Sequence, residues 1–329
     1  MLLQKTKEYL RESKNLLAFS AGVDSTALFF LLLENHISFD IAIVDYGVRP
    51  QSKEELAYAK KLAKQHSLHC YSLTAPKITS NFEANARALR YDFFQKLITQ
   101  HNYDTLLTAH HLGDRFEWMM MQFCKGAGCA ELSGMQEFER RPSYTLVRPL
   151  LHLDKKKLQA YLEKNNMKYF EDQSNNDERY KRNKFRKILA PLLDEYKDGI
   201  KKSFQYIEKD TKELIEPIEL NSINQLGYFK SSNSVRNNIY VIDKYLKSIG
   251  HIMSANERLL LEKEQSSIIG RKYVVTKHND YTLVAPYIKA AKLSKEFKEK
   301  MRLLKIEPKL RGYLASDDEA VEFLSGLFV

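Results

Sequence analysis

Leu16-Leu17-Ala18-Phe19-Ser20-Ala21-Gly22-Val23-Asp24-Ser25-Thr26 is an apolar run, then a turn of small residues, then the opening of a helical pattern. Residues 16–19 have the continuous hydrophobicity of a strand buried on both faces. A turn between such a strand and a helix aims free backbone N–H groups, and the positive end of the helix dipole, at whatever occupies it. Phosphate oxygens suit that position. Ser20 and Ser25 add hydroxyl donors, and Gly22 lets the backbone approach closely. Asp24 requires a separate reason, because a carboxylate beside phosphates is repelled unless a cation lies between them. Asp24 is therefore the candidate ligand of a Mg²⁺ ion shared with phosphate oxygens. The turn has no lysine, so it is not a Walker A loop.

Outward from this turn, strand-like runs at 16–19, 41–44, 68–73 and 104–109 alternate with helical patterns at 26–34, 52–65 and 82–100. That alternation predicts an α/β fold, a doubly wound parallel sheet covered by helices on both faces. After Pro149 the chain turns helical and charged, over 154–164 and 180–196, with a second domain expected to begin close to Pro191. Residues 203–216 read as helix. Segments 273–276 and 281–285 flank His278-Asn279-Asp280 as a small hairpin. The expected division is a domain over 1–195 and a smaller, mainly helical C-terminal domain over 196–329.

Composition sets the outer limits. At 329 residues, and roughly 150 residues per domain, two domains are expected. With 43% hydrophobic and 29% charged residues the chain is too apolar to be disordered. A net charge of +10 points to a polyanionic partner. The longest unbroken apolar run, residues 27–33, is far short of the roughly 18 residues that cross a bilayer. The charged start, with Lys5, Lys7, Glu8 and Arg11, does not read as a signal peptide, so a cytoplasmic protein with no membrane partner is expected. Cys70, Cys124 and Cys129 form no C-x-x-C pair, which argues against a disulfide framework or a zinc motif. A homo-oligomer is left open.

Three further stretches carry chemistry. Thr108-Ala109-His110-His111-Leu112-Gly113-Asp114-Arg115-Phe116-Glu117 runs from a strand end into a helix, and in a doubly wound sheet it should face the Ser20 turn. His110, with an ordinary pKa near neutrality, suits charge stabilisation or proton transfer. On the 82–100 helix, Glu83, Arg87, Arg90 and Tyr91 share one side, with Phe82, Ala86, Leu89, Phe93 and Leu97 as the buried stripe. From Arg179 to Lys187 the chain is densely basic, with Arg179, Arg182 and Arg186 on one helical face and Asn183 among them. Arginines in that arrangement grip phosphates bidentately.

Ser20-Ala21-Gly22-Val23-Asp24-Ser25 resembles the S-G-G-x-D-S pyrophosphate loop of the N-type ATP pyrophosphatases, with Ala21 where that family has Gly. Alanine is tolerated there at negative φ and costs stability at positive φ. Residues 44–49, 83–91, 108–117, Arg148-Pro149-Leu150-Leu151, and the strings at 170–177 and 179–186 resemble, in order and spacing, the motifs of the tRNA(Ile)-lysidine synthases. In the H-H-x-D-D-Q-x-E-T signature, Gly113, Arg115 and Trp118 depart from the pattern.

The resemblance implies an adenine nucleotide α-hydrolase-like catalytic domain over 1–195 and probable tRNA contacts from 196–329. It implies ATP bound by Ser20, Ala21, Gly22, Val23, Asp24 and Ser25, with Asp24, His110, Asp114 and Arg186 as catalytic residues. Arg87, Arg90, Arg179, Arg182 and Asn183 would contact tRNA or phosphate. The implied substrates are ATP with Mg²⁺, free L-lysine and tRNA(Ile) with a CAU anticodon. The implied reaction makes lysidine through an adenylated cytidine, with Asp114 as the base for the amine. Another tRNA-modifying ATP pyrophosphatase and a catalytically inactive RNA-binding module are the alternatives.

Overall fold

The computed structural model describes residues 1–47, 51–171, 181–289 and 292–328, the side chains of Lys181 and Phe328 excepted. The chain forms two compact units, Met1–Asp210 and Thr211–Val329.

The first unit runs α1 (Gln4–Arg11), β1 (Asn15–Ala18), α2 (Val23–Glu34), β2 (Phe39–Asp45), α3 (Gln51–Gln65), β3 (Cys70–Thr74), α4 (Phe82–His101), β4 (Thr105–Leu107), α5 (Leu112–Phe123), α6 (Cys129–Leu132), β5 (Phe138–Arg140), β6 (Thr145–Val147), α7 (Lys155–Lys164) and α8 (Lys181–Leu214). Its sheet has the order β3-β2-β1-β4-β6-β5, parallel except where β5 runs against β6. The chain winds outward from β1 through β2 to β3, then returns to place β4 on the other side of β1. The strand order therefore reverses between β1 and β4, and the crevice above their carboxyl ends is where such sheets bind ligands.

β1 is the most apolar strand for that reason. Leu16 and Leu17 are fully buried, Leu17 in a core with α2 and α7, and Leu16 against Phe94, Leu97 and Ile98 of α4. Helix α2 has no polar face to speak of, with Val23 through Leu32 buried apart from Asp24. A helix apolar all round belongs inside. On α4 the buried residues are Ala86, Phe94, Leu97 and Ile98. Phe93 and Leu89 are only half-buried, so the stripe is rotated from the expected one and Phe82 stays out of it.

The start of the second unit lies beyond Pro191, at Thr211. Helix α8 runs through Pro191, departs from helical geometry only at Tyr196 (φ −111°, ψ 19°), and continues to Leu214. Beyond the kink, Phe204 is buried with Leu112, Phe116 and Leu189, and Glu208 pairs with Arg115 of α5 at 2.6 Å. These contacts hold the helix to the first unit. The division accordingly falls at Asp210 rather than at 195.

The second unit contains β7 (Asn221–Ile223), β8 (Leu226–Lys230), α9 (Val235–Ser248), α10 (Ala255–Lys263), β9 (Ser266–Ile269), β10 (Tyr273–His278), β11 (Tyr281–Pro286), α11 (Lys295–Leu303), α12 (Arg311–Leu314) and α13 (Asp318–Phe328). Helix predominates, as expected, but it packs on a five-stranded antiparallel sheet, β7-β8-β11-β10-β9, of which only the β10–β11 hairpin is legible in sequence. No helix among the described residues is long and apolar enough to cross a membrane.

Candidate active site

The loop after β1 is built by its neighbours as much as by its own residues. Ala21 adopts φ 58°, the left-handed region that costs an L-residue roughly 1–2 kcal/mol. Its methyl group is wholly buried in the core, which returns about 0.8 kcal/mol. Packing thus explains how alanine stands where glycine would be unstrained. The Phe170 N–H donates to the Ala21 carbonyl at 2.9 Å, and Gly22 pairs with Phe170 as a parallel bridge. Phe170 is itself fixed by Tyr58, whose ring meets it edge-on and whose hydroxyl donates to the Lys168 carbonyl. Ser25 Oγ accepts from the Ser20 N–H at 3.2 Å and lies 3.0 Å from Ser20 Oγ. No side chain caps the start of α2, so its first-turn N–H groups are left to an incoming acceptor. A Cβ on Gly22 would meet nothing closer than Ser20 Oγ at 3.5 Å. Among the described residues nothing demands glycine there, and a close approach by a bound group would give it a reason.

Asp24 opens α2 and faces across the switch point. Its Oδ2 lies 3.9 Å from His111 Nε2, while its Oδ1 is buried without a hydrogen-bond partner. Burial pushes its carboxyl above the usual range and the nearby Asp114 adds to this, against the pull of His111, Lys155 and Arg186. An orphaned, desolvated carboxylate oxygen beside a phosphate loop fits a hard cation such as Mg²⁺, which takes one or two carboxylates and completes its shell with phosphate oxygens and water. Among the described residues no group of three or more His, Cys, Asp or Glu side chains could hold a metal.

Opposite stands the start of α5. His111 caps this helix: its Nδ1 accepts from the Gly113 N–H at 3.0 Å, and its own N–H donates to Asp114 Oδ2 at 2.9 Å. With Nδ1 an acceptor, the neutral ring carries its proton on Nε2, facing Asp114 Oδ2 at 3.6 Å as well as Asp24. Gly113 has its reason here. A Cβ at that position would come within 2.7 Å of His111 Cε1. The departure from an acidic residue at 113 is therefore matched by an imidazole occupying the space. Gly113→Ala is expected to displace the ring, costing about 1–3 kcal/mol in denaturant melts and slowing turnover.

Asp114 and Glu117, one turn apart on α5 and both buried, receive the arginines of α8. Arg182 reaches Asp114 Oδ1 at 2.5 Å and Glu117 Oε2 at 3.0 Å. Arg186 Nε donates to Glu117 Oε1 at 2.7 Å, and its Nη2 to Oε2 at 3.3 Å. Both arginines keep about a third of their side-chain surface in water, 33% and 34%. Burial would raise the Asp114 carboxyl, but His111, Arg182, His110 and the His111 N–H together hold it well below the usual carboxylate range. The geometry also gives Asp114 a holding role, toward Arg182 and the His111 N–H.

His110 is half-buried with Nδ1 2.9 Å from Thr108 Oγ1. Burial, aided by Arg148, Arg182 and Arg87, outweighs Asp114 and lowers its pKa to about 4, not the near-neutral value expected. The ring is neutral at physiological pH. Because the unfolded chain titrates it near 6.5, the unfolded state binds more protons between pH 6.5 and 4. Stability should fall as pH drops through that window, by up to about 3 kcal/mol. Urea unfolding of wild type and His110→Asn over the window checks this, with a flatter profile expected for the variant.

Of the other expected site residues, Arg87 lies against the Tyr91 ring at 4.8 Å and acts electrostatically on His110. Arg90 acts likewise on Tyr46. Asn183 is half-buried on α8 beside Arg182. Arg179 and the string at 172–177 lie outside the described residues. Arg148 is buried and bound to the Gln136 carbonyl at 2.7 Å and to Glu139 at 2.8 Å, holding β5 to the end of β6. Roles unseen in the sequence belong to Glu117, His111 and Phe170. Glu117 and His111 lie inside a recognised motif, and only their partners, distant in the chain, define what they do.

A family model described as a PP-loop domain matches residues 2–193. A tRNA(Ile)-lysidine synthase of Wolinella succinogenes is 42% identical over 308 residues, covering 93% of this chain and 94% of that protein. One from Helicobacter pylori is 40% identical, covering 94% and 92%. Another, from Campylobacter jejuni, is 39% identical, covering 96% and 97%.

Proposed function

The chain belongs to the tRNA(Ile)-lysidine synthases, and from that premise we propose that it ligates free lysine to C2 of the wobble cytidine of tRNA(Ile) with a CAU anticodon, using ATP and Mg²⁺ in the cytoplasm. The observation that carries this reading is the approach of Asp24 to His111, 3.9 Å across the switch point, which brings the phosphate loop and the α5 turn into one crevice.

In the first step the cytidine C2 oxygen attacks the α-phosphorus of ATP, and the bond to the β-phosphate oxygen breaks. Pyrophosphate leaves into the loop of residues 20–25, where the first-turn N–H groups of α2 and the dipole receive its charge. A Mg²⁺ ion held by Asp24 would supply charge neutralisation for the departing phosphates. In the second step the lysine ε-amine forms the bond to C2, and the C2–O bond breaks as AMP departs with the oxygen. Free lysine has a pKa of about 10.4, so the amine must lose a proton before or during attack. Asp114, the base that the resemblance implies, and His110, neutral and beside the crevice, are the candidates to accept it. Phosphates bound nearby would raise the imidazole pKa against the downward push of burial. Arg182 and Arg186 are the candidates for the α-phosphate and the RNA backbone, oriented by Asp114 and Glu117.

Mass spectrometry of nucleosides from tRNA(Ile) incubated with protein, ATP, Mg²⁺ and lysine tests the proposal. A lysine adduct on cytidine, absent without ATP, is expected. AMP release without tRNA, or no adduct under any condition, would overturn it.

A further inference from the structure

One aromatic pair beside the crevice has no task in the chemistry above. Tyr46 follows directly on β2, and Phe82 opens α4. Their rings meet at 5.9 Å and 67°, and the Tyr46 hydroxyl donates to the Ala86 carbonyl at 3.1 Å, which fixes the tyrosine against α4. Phe82 nonetheless leaves 37% of its surface in water, although the core takes Ala86, Phe94, Leu97 and Ile98 from the same helix. A phenylalanine held in place by a tethered neighbour, yet left wet, is a pre-formed π surface rather than a piece of core.

Its surroundings are cationic. Arg90 is close enough to Tyr46 to pull its hydroxyl pKa down against the upward push of burial. Arg87 stacks on Tyr91 and reaches electrostatically to His110. Arg87 with Tyr91, and Arg90 beside Tyr46 with Phe82, thus lie on the N-terminal half of α4 and the end of β2. Positive charge interleaved with aromatic rings is the pattern that holds single-stranded nucleic acid, phosphates on the cations and bases on the rings. The nucleotide triphosphate has its own cradle at residues 20–25, so these arginines are in excess of what ATP requires.

Resting on the tRNA reading above, we propose that the Tyr46–Phe82 pair is a stacking site for an unpaired RNA base adjoining the cytidine that is modified, with Arg87 and Arg90 on the flanking phosphates. The site holds the loop open: a base lodged there no longer stacks on the cytidine, which is then free to enter the crevice.

The test uses the full-length protein and an RNA hairpin with the anticodon arm, prepared in two forms with 2-aminopurine on either side of the cytidine. Wild type should bind both and quench one of them. Phe82→Leu keeps the apolar volume and removes the π face. It should weaken hairpin binding by about 5- to 100-fold and abolish the quenching, and Phe82→Trp should restore both. ATP affinity, measured separately without RNA, should not change. Unaltered hairpin affinity and quenching in Phe82→Leu overturns the site. So does a loss confined to ATP, which would assign the rings to the adenine. Failure of the activity itself is read in the nucleoside assay and does not enter this result.

Discussion

Asp24→Asn is expected to yield a folded protein, melting no lower than wild type, that releases pyrophosphate about 10³-fold more slowly. The two halves of this expectation share one cause. Burial raises the Asp24 carboxyl and leaves Oδ1 without a partner, so its negative charge is a burden on the fold in the absence of ligand. The sign follows from linkage. A carboxylate with a raised folded-state pKa destabilises above its ordinary pKa, and a neutral amide of the same shape removes that cost. The same charge is what a cation between Asp24 and the phosphates requires. Calorimetric melting and a pyrophosphate release assay on the one variant check both halves. A lower melting temperature with normal turnover would mean that Asp24 is structural.

Glu117→Ala is expected to do the opposite, damaging fold and activity together. Glu117 is the buried partner of both Arg182 and Arg186, with 6% of its side-chain surface exposed. Its removal takes from both guanidinium groups their shared buried carboxylate and leaves them the ion pairs to Asp114. A fully buried pair broken on one side costs about 3–5 kcal/mol. These arginines remain a third exposed, so about 2–3 kcal/mol is the expected loss in urea unfolding. Arg186→Ala should be milder for stability, because Arg182 still satisfies Glu117, while ATP or tRNA use weakens. The contrast between the two variants separates the holding role of Glu117 from the ligand-facing role of Arg186.

Much of the first unit was legible because its signals are local. A strand buried on both faces reads as a nearly continuous apolar run, and 16–18 of β1, 41–44 of β2 and 106–107 of β4 are such runs, so the crevice between β1 and β4 is legible in the sequence. The loop of residues 20–25 and the α5 turn were found for the same reason. What the sequence concealed depends on partners far along the chain. The φ of Ala21 is set by Phe170 and by the core around its methyl group. The fit of Gly113 to the His111 ring, and the grip of Asp114 and Glu117 on α8, exist only once helices meet. A pKa is likewise a property of surroundings, so the ordinary value expected of His110 is one that burial and neighbouring charges move. The boundary at Asp210 is not legible, because Pro191 suggests the start of a domain, whereas the tie of Phe204 and Glu208 to α5 keeps the helix with the first unit. In the second unit, β7 and β8 are short and interrupted by polar residues, so their alternation is too brief to stand out.

The central claim is that the turn after β1 receives the two phosphates that leave ATP. A crystal structure of the protein with ATP, Mg²⁺ and no tRNA tests it most directly. The expected density places the β- and γ-phosphates against the backbone N–H groups of residues 20–25, with the metal bound to Asp24. A triphosphate lodged elsewhere, with the turn closed by side chains and Asp24 free of metal, would contradict it.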